Sequence, residues 1–454
     1  MNIIICDDRI DDRKNVSDLL SDYGEKKNYE FTITEYDSGE QLCEDQSALE
    51  ACQLLFLDIN MQGMDGLKTA MRIKEKYPKL PVVQVTAYMN YALDGYKVKA
   101  SRFLLKDNLA DRRWQGIPAI AITKNGIMYC ACYSGGNGEG KDNYVLVERS
   151  KDGGQTWSEP IAVVDPEGYV RAFDACLWVT PNNELALFWN QSFGGFDGRA
   201  GVFLSICKNP EKENLCWTSA IRITDGVMLN KPIIGEHGEW LLSLSLWNNV
   251  ESDFNQDCTD RMIKVYATSD KGVSFYKMGE FTMPGRYYDE PMTVQHKDGT
   301  LHMLVRLPDG IGEAFSKDGG KNWGHIQKSK FWGPNSRFYF GRLMSGNLLL
   351  VNHQIEREDE ESKETLFPKR SHLSAWLSED DGLTWSKPFL LDEREGISYP
   401  DVDQDEEGNI YIIYDYLRFK EKQLLLAKIT EEDILNGQIK TMGSYLRRIV
   451  DQAG

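Results

Sequence analysis

The segment SKDGGQTW at Ser150–Trp157 returns as SKDGGKNW at Ser316–Trp323 and SEDDGLTW at Ser378–Trp385, with a weaker copy, TSDKGVSF, at Thr268–Phe275. No other feature narrows the fold as far. The copies share the pattern S-x-D-x-G-x-x-W and start 118, 48 and 62 residues apart, the first interval being about two of the others. A repeat of roughly 50 residues is a supersecondary unit that cannot bury its apolar face alone, so several copies must stack. In an all-β chain such a unit is a propeller blade of four strands, and about six fit the roughly 330 residues that follow Trp114. The repeat residues themselves are architectural. The Asp is suited to accept backbone N–H bonds, the Gly to take positive φ, and the Trp to pack between strands.

The texture around the repeats agrees. Ile127–Tyr133, Tyr144–Arg149, Leu185–Trp189, Trp240–Leu246, Leu301–Arg306, Asn347–Asn352 and Ile410–Tyr414 are short, aromatic-rich runs separated by Gly, Asn and Asp, the mark of antiparallel strands. Residues 1–108 differ. Asn2–Cys6, Phe31–Tyr36, Leu54–Asp58, Val82–Thr86 and Arg102–Lys106 read as buried strands, alternating with helical periods such as Gly66–Tyr77. That alternation predicts a parallel sheet covered by helices on both faces. The expected organisation is therefore multidomain: an α/β domain over residues 1–108, an all-β six-bladed propeller over 109–440, and a tail over 441–454.

Charge and cysteine usage bound the partners. A net charge of −18 over 454 residues excludes nucleic acid or an anionic membrane as the main partner, since both require a basic face. The nine cysteines are scattered and form no CxxC pair, so neither a zinc site nor a redox motif is expected. MNIIICDD runs into acids after a few apolar residues, and no apolar run reaches about 18 residues, so neither a signal peptide nor a membrane span is expected. A reduced, cytoplasmic protein is the simplest expectation.

In the first domain Asp7, Asp8 and Asp58 end strands that meet at the carboxyl edge of a parallel sheet, where ligands bind. Three carboxylates there form an oxygen-rich site suited to Mg²⁺. Thr86 ends the next strand and Lys106 the one after. One strand-end Asp is ordinarily a solvated charge or a helix cap; five matching positions are not. FLDINMQGMDG, VTAY and FLLKD resemble the phosphoacceptor, switch-threonine and lysine segments of response-regulator receiver domains, and YALDGYKVKASRFLLKD resembles receivers that carry LytTR output domains. The resemblance implies a flavodoxin-like fold, phosphorylation of Asp58 by a histidine kinase, and Mg²⁺ held by Asp7, Asp8 and Asp58 with the backbone of Asn60. It also implies phosphoryl contacts from Thr86 and Lys106. One departure stands out: only DNLADRR separates Lys106 from Trp114, so the fifth helix of a receiver is expected to be missing.

The repeat is similar to the Asp-box of sialidases, and YYDEP, PNSRF, SYPD and RAFDACLW extend the likeness to the exo-α-sialidase type. Sialidases act on a sugar whose anomeric carbon bears a carboxylate, and a carboxylate nucleophile would be repelled by it. The family uses a tyrosine activated by a glutamate, an arginine clamp for the carboxylate, and an acid for the leaving oxygen. The resemblance assigns Tyr399 as nucleophile, Glu290 as its base, and Arg306 and Arg370 as clamp members. Asp174 and Glu139, with Asp142 beside the latter, are the candidates for the acid. An isolated arginine is usually a surface charge and an isolated tyrosine usually packing; their shared order favours the site. The family opens its first blade with Arg-Ile-Pro, whereas this chain reads Gly116-Ile-Pro118, and Arg171 or Arg337 is the expected substitute. Tyr287, Tyr288 and His353 are further candidates for the pocket wall, while His302 is expected to be structural.

The implied activity is hydrolysis of a terminal sialic acid or related acidic sugar, with an acidic sugar or sialoglycan as partner and no cofactor for the propeller chemistry. A uronic acid is the first competing substrate. A non-catalytic carbohydrate-binding propeller, or a phosphorylation-controlled protein with a propeller output, would be the alternatives.

Overall fold

The structure is a computed structural model that describes residues 1–27, 29–59, 61–86, 102–105, 112–166, 170–193, 200–213, 215–247, 261–354 and 370–454. The chain divides into two compact units, Met1–Ala110 and Asp111–Gly454, close to the boundary expected at 108/109.

In the first unit, strands Asn2–Cys6, Thr32–Tyr36, Leu54–Asp58, Val82–Thr86 and Arg102–Leu105 form one parallel sheet in the order second, first, third, fourth, fifth. The first and third strands are almost wholly apolar because both their faces are covered, whereas the edge strand Thr32–Tyr36 (TITEY) is half-exposed and mixed. Ile4, Cys6, Leu55, Leu57 and Val82 pack with Leu42, Ala70 and Ile73. The alternate residues Ile3, Ile5, Phe56, Val83 and Val85 pack with Val16 and Leu20. Gly66 opens the helix Gly66–Lys76 hard against the end of the third strand, where a Cβ would lie 1.9 Å from the Asp58 carbonyl oxygen. Any other residue there would push the helix off the site. The fifth strand ends at Leu105 and the next strand begins at Gln115. Residues 106–111, where the fifth helix is expected to be missing, lie outside the described residues.

The second unit is a six-bladed propeller, each blade four consecutive antiparallel strands. The blades run Gln115–Val164, Val170–Asp225, Ile233–Phe281, Met292–Lys328, Tyr339–Asp392 and Ile397–Gln452. No strand is exchanged between the first and last blades. Side chains close the ring instead: Asp415, Asp401 and Asp403 of the sixth blade accept the backbone N–H groups of Ile117, Ile120 and Ile122 at 2.9–3.0 Å. Arg112 pairs with Asp451, and Gln115 Nε2 donates to the Lys422 carbonyl.

One boundary needs correction. Residues 441–454, expected as a tail, contain Tyr445–Gln452, the outer strand of the sixth blade. An outer strand is paired on one edge and only half-buried, so YLRRIVDQ carries none of the apolar continuity that betrays an inner strand.

The four repeat copies have one geometry, at the turn between third and fourth strands of the first, third, fourth and fifth blades. Asp318 accepts the Ser316 hydroxyl, the Asn322 backbone N–H and the Asn322 amide at 2.7–2.9 Å. Asp152, Asp270 and Asp380 accept an equivalent set from their own turns, with a Thr or Ser hydroxyl in place of the Asn amide. Donation from Asn322 holds the Asp318 carboxyl down at about 2. A carboxyl depressed in the folded state stabilises it above its unfolded pKa near 4, and that contribution is lost as pH falls toward 2. Asp318→Ala should therefore lower the melting temperature by a few degrees at neutral pH, and the difference from wild type should shrink between pH 4 and pH 2, as read by thermal denaturation across that range.

Candidate active site

The propeller repeat places one residue from every blade at the same station. In five blades the first inner-strand residue in regular register pairs twelve positions on: Ala119 with Ala131, Cys176 with Phe188, Met292 with Leu304, Tyr339 with Val351, and Asp401 with Ile413. In the third blade Ile233 pairs with Leu241. Two residues before these stand Ile117, Asp174, Lys231, Glu290, Arg337 and Tyr399. In the first, second and sixth blades the strand bulges there. Ile117, Asp174 and Tyr399 take left-handed φ values of 56°, 48° and 55°. Bulges re-aim side chains, and non-glycine residues at positive φ are retained where the surrounding structure enforces them.

Tyr399 and Glu290 meet. The Tyr399 hydroxyl donates to Glu290 Oε1 at 2.9 Å. Arg306 Nη1 donates to both, at 2.7 Å to the phenol oxygen and 2.5 Å to the carboxylate. All three are buried, 3–6% exposed. Arg306 is the last residue but one of the second strand of the fourth blade, and Asn335 holds it through Oδ1 and the backbone carbonyl at 2.8 and 3.1 Å. Burial pushes the Tyr399 phenol above its ordinary value, with Arg306, Arg370 and Arg418 opposing and Glu290 reinforcing the rise.

Two more guanidiniums face the same ring. The Arg370 and Arg418 Cζ atoms lie 5.4 and 4.3 Å from the Tyr399 ring centre, and Arg306 Cζ 5.8 Å. Arg370 Nη2 donates to the Asn335 carbonyl at 2.7 Å. Arg418 follows the second strand of the sixth blade. It donates to Asp415 at 2.8 Å, Ser398 at 3.0 Å and Glu139 at 3.2 Å. Sequence reading missed Arg418, because YDYLRFK has no motif around it.

The acids separate by environment. Asp174 is buried and raised to about 8, chiefly by burial and then by Glu139 and Glu290, against Arg171 and Arg418. Its Oδ1 has no hydrogen-bond partner. Glu139 is part-exposed on Arg418, and Asp142 is exposed beside Lys141. A chain of aromatic rings, Phe419–Trp114–Tyr133–Phe173–Trp247–Tyr288–Tyr287, each 4.6–6.5 Å from the next, passes through Phe173, the neighbour of Asp174 in sequence.

The two expected substitutes for the absent first-blade arginine each have partners of their own. Arg337 is fully buried and donates to Asn230 Oδ1, the Leu229 carbonyl and Asp401 at 2.8–3.2 Å, where Lys231 also pairs with Asp401. Its fork ties blades together. Arg171 lies on the Phe173 ring, its Cζ 3.9 Å from the centre, and donates to Ser192 and Asn143. His353 is buried against the Ser371 carbonyl and lowered to about 4 by burial, hence neutral. His302 stacks on Phe315 and pairs with Glu313.

In the first unit, oxygens of Asp7, Asp8 and Asp58 lie within 4.8 Å of one another, a spacing that fits a hard divalent cation. The Arg9 N–H donates to Asp7 and the Gln62 N–H to Asp8, which orients both carboxylates. Thr86 ends its strand, its side chain outside the described set; Asn60 and Lys106 lie outside the described residues. Among the described residues every cysteine is a free thiol, and no helix is long and apolar enough to cross a membrane.

Residues 126–412, more than half the chain, match the family model of the BNR repeat-like domain. The chain belongs to that family. Residues 3–114 match the response regulator receiver domain, so this BNR repeat-like protein joins a receiver to a sialidase-like propeller. The receiver is 30% identical over 106 residues to the positive alginate biosynthesis regulatory protein of Pseudomonas aeruginosa. That match covers 23% of this chain and 41% of the relative, so the chain spans less than half the relative's length. Two solved propellers share the fold. One is a protein of unknown function from Dyadobacter fermentans (TM-score 0.53, 17% identity, 68% of this chain and 92% of that one). The other is the intramolecular trans-sialidase from Ruminococcus gnavus (TM-score 0.56, 13% identity, 74% and 97%).

Proposed function

We propose that the propeller is a retaining exo-glycosidase that removes a terminal sialic acid or related acidic sugar through a tyrosyl intermediate. The observation that carries this reading is the buried Tyr399–Glu290 hydrogen bond of 2.9 Å beneath guanidiniums. The guanidiniums suit a carboxylate on the sugar, and beside that charge a neutral phenol attacks where an anionic nucleophile would be repelled. Burial keeps Tyr399 protonated at rest. Its proton passes to Glu290 as the phenol oxygen bonds the anomeric carbon, while the Arg306 N–H steadies the forming phenolate. Asp174, protonated at neutral pH, gives its proton to the leaving glycosidic oxygen as that bond breaks. Ionised Asp174 then takes a proton from the attacking water, and Tyr399 departs, recovering its proton from Glu290.

A propeller that only binds carbohydrate needs no such base–nucleophile pair. Turnover of a fluorogenic sialoside beside a glucuronide panel separates the readings. Tyr399→Phe should lower kcat/KM by about 10³-fold or more with the fold intact. Because Asp174 must be protonated to act, wild-type kcat/KM should fall as pH rises through about 8. Asp174→Asn should remove that limb and slow poor leaving groups by roughly 10²–10⁴-fold, activated aryl groups much less. No turnover of any acidic glycoside would sink the enzyme reading and leave the binding propeller.

For the receiver, we infer that a histidine kinase phosphorylates Asp58. Asp7, Asp8 and Asp58 would hold Mg²⁺, which neutralises charge on the phosphoryl oxygens when bound. Labelling by acetyl phosphate with Mg²⁺ should be lost in Asp58→Asn and on chelation; persistence of label in that variant would move the phosphoacceptor elsewhere.

A further inference from the structure

We infer that Arg418 is a substrate-binding residue that works as a pair with Gly116: it reaches from the sixth blade into the space a first-blade side chain would fill, and with Arg306 and Arg370 it selects sugars bearing a free carboxylate. The inference rests on the acidic-sugar reading above and assigns its specificity. A Cβ at Gly116 would lie 2.7 Å from Arg418 Cδ, 2.9 Å from Cγ and 3.0 Å from Nε. Gly116 is not in the left-handed region, so its backbone would accept a side chain; the Arg418 stem is what excludes one. The glycine and the arginine are two halves of one arrangement.

The arginine is held for a binding role. Asp415, fully buried, fixes Nε, and Ser398, next to Tyr399, accepts from Nη2. Asp415 also accepts the Ile117 N–H and the Ser398 hydroxyl, so one carboxylate positions the first-blade bulge, the Tyr399 strand and Arg418 together. The remaining nitrogen, Nη1, meets Glu139 at 3.2 Å on the first-blade loop. Glu139 is the most exposed of the three partners, with 26% of its side chain accessible. A ligand carboxylate can take its place on Nη1 without disturbing Asp415 or Ser398. The surplus of positive charge is felt by Arg370, pulled down to about 10 by burial and by Arg418 and Arg306, against Tyr399. An anion among these groups would relieve that.

The contact of Glu139 with Arg418 at 3.2 Å favours Asp174, buried and with one oxygen unpartnered, as the acid.

The test measures binding of the 2,3-didehydro analogue of sialic acid, or of whichever acidic sugar the hydrolysis panel selects, against its methyl ester by calorimetry. Wild type should prefer the free acid. Arg418→Lys, which keeps charge but loses the fork, and Arg418→Ala should each reduce that preference at least tenfold. Gly116→Arg alone should also weaken binding, through collision with Arg418. The double variant Gly116→Arg/Arg418→Ala should bind the acid better than either single variant, a coupling that a purely structural role does not produce. If Arg418→Ala does not fold, because Asp415 loses a donor, Arg418→Lys carries the test. Wild-type preference for the acid with unchanged preference in Arg418→Lys and no recovery in the double variant would overturn the role of Arg418 alone. A wild type that does not distinguish acid from ester would overturn the acidic-sugar reading, and this inference with it.

Discussion

A phenol, a carboxylate and a guanidinium share one water-poor contact at the axis of this propeller, and everything around them follows from the cost of putting them there. Glu290 buried alone would cost several kcal/mol; Arg306 Nη1 at 2.5 Å and the Tyr399 hydroxyl at 2.9 Å compensate it. Arg306 needs its own support, and Asn335 supplies it through side chain and backbone. Burial that raises Tyr399 also prevents it from ionising at rest, so its reactivity depends on the adjacent base. The site is thus assembled as a unit, each charge placed because another answers it.

The propeller supplies the positions. One residue per blade stands at the mouth of each inner strand, and six blades turn that single station into a ring of chemically different side chains. In the proposed mechanism Glu290, Asp174 and Tyr399 do the chemistry, while Arg337 and Lys231 meet on Asp401 and hold blades together. The same station therefore yields chemistry in some blades and mortar in others. Bulges at Asp174 and Tyr399 re-aim two of the chemical residues, and the bulge at Ile117 is pinned by Asp415, which also fixes Arg418.

Much of this was legible in the sequence, for physical reasons. The repeat betrays the blades because its Asp, Gly and Trp each satisfy a turn that only those residue types satisfy. The receiver strands betray themselves because two covered faces demand continuous apolar runs. Tyr399 and Glu290 are reached through the resemblance of SYPD and YYDEP to sialidase segments, and the structure adds that both stand two residues before the regular pairing of an inner strand. What was hidden is equally physical. The outer strand Tyr445–Gln452 is half-solvated and reads as a tail. Arg418 reaches its place through space from a turn, so only its stem against Gly116 reveals it. The choice between Asp174 and Glu139 depends on which carboxyl is buried and which is hydrogen-bonded to a guanidinium, and spacing along the chain does not encode that.

The central claim is that Tyr399 becomes bonded to the sugar. A mechanism-based 2,3-difluoro analogue of the acidic sugar, incubated with the whole protein and followed by intact mass and peptide mapping, tests it directly. The account predicts one added sugar per chain, on the peptide spanning Tyr399, and no adduct in Glu290→Gln under the same exposure. An adduct on a carboxylate such as Asp174 or Glu139, or turnover of the parent glycoside with no trappable adduct and with inversion of anomeric configuration, would contradict it.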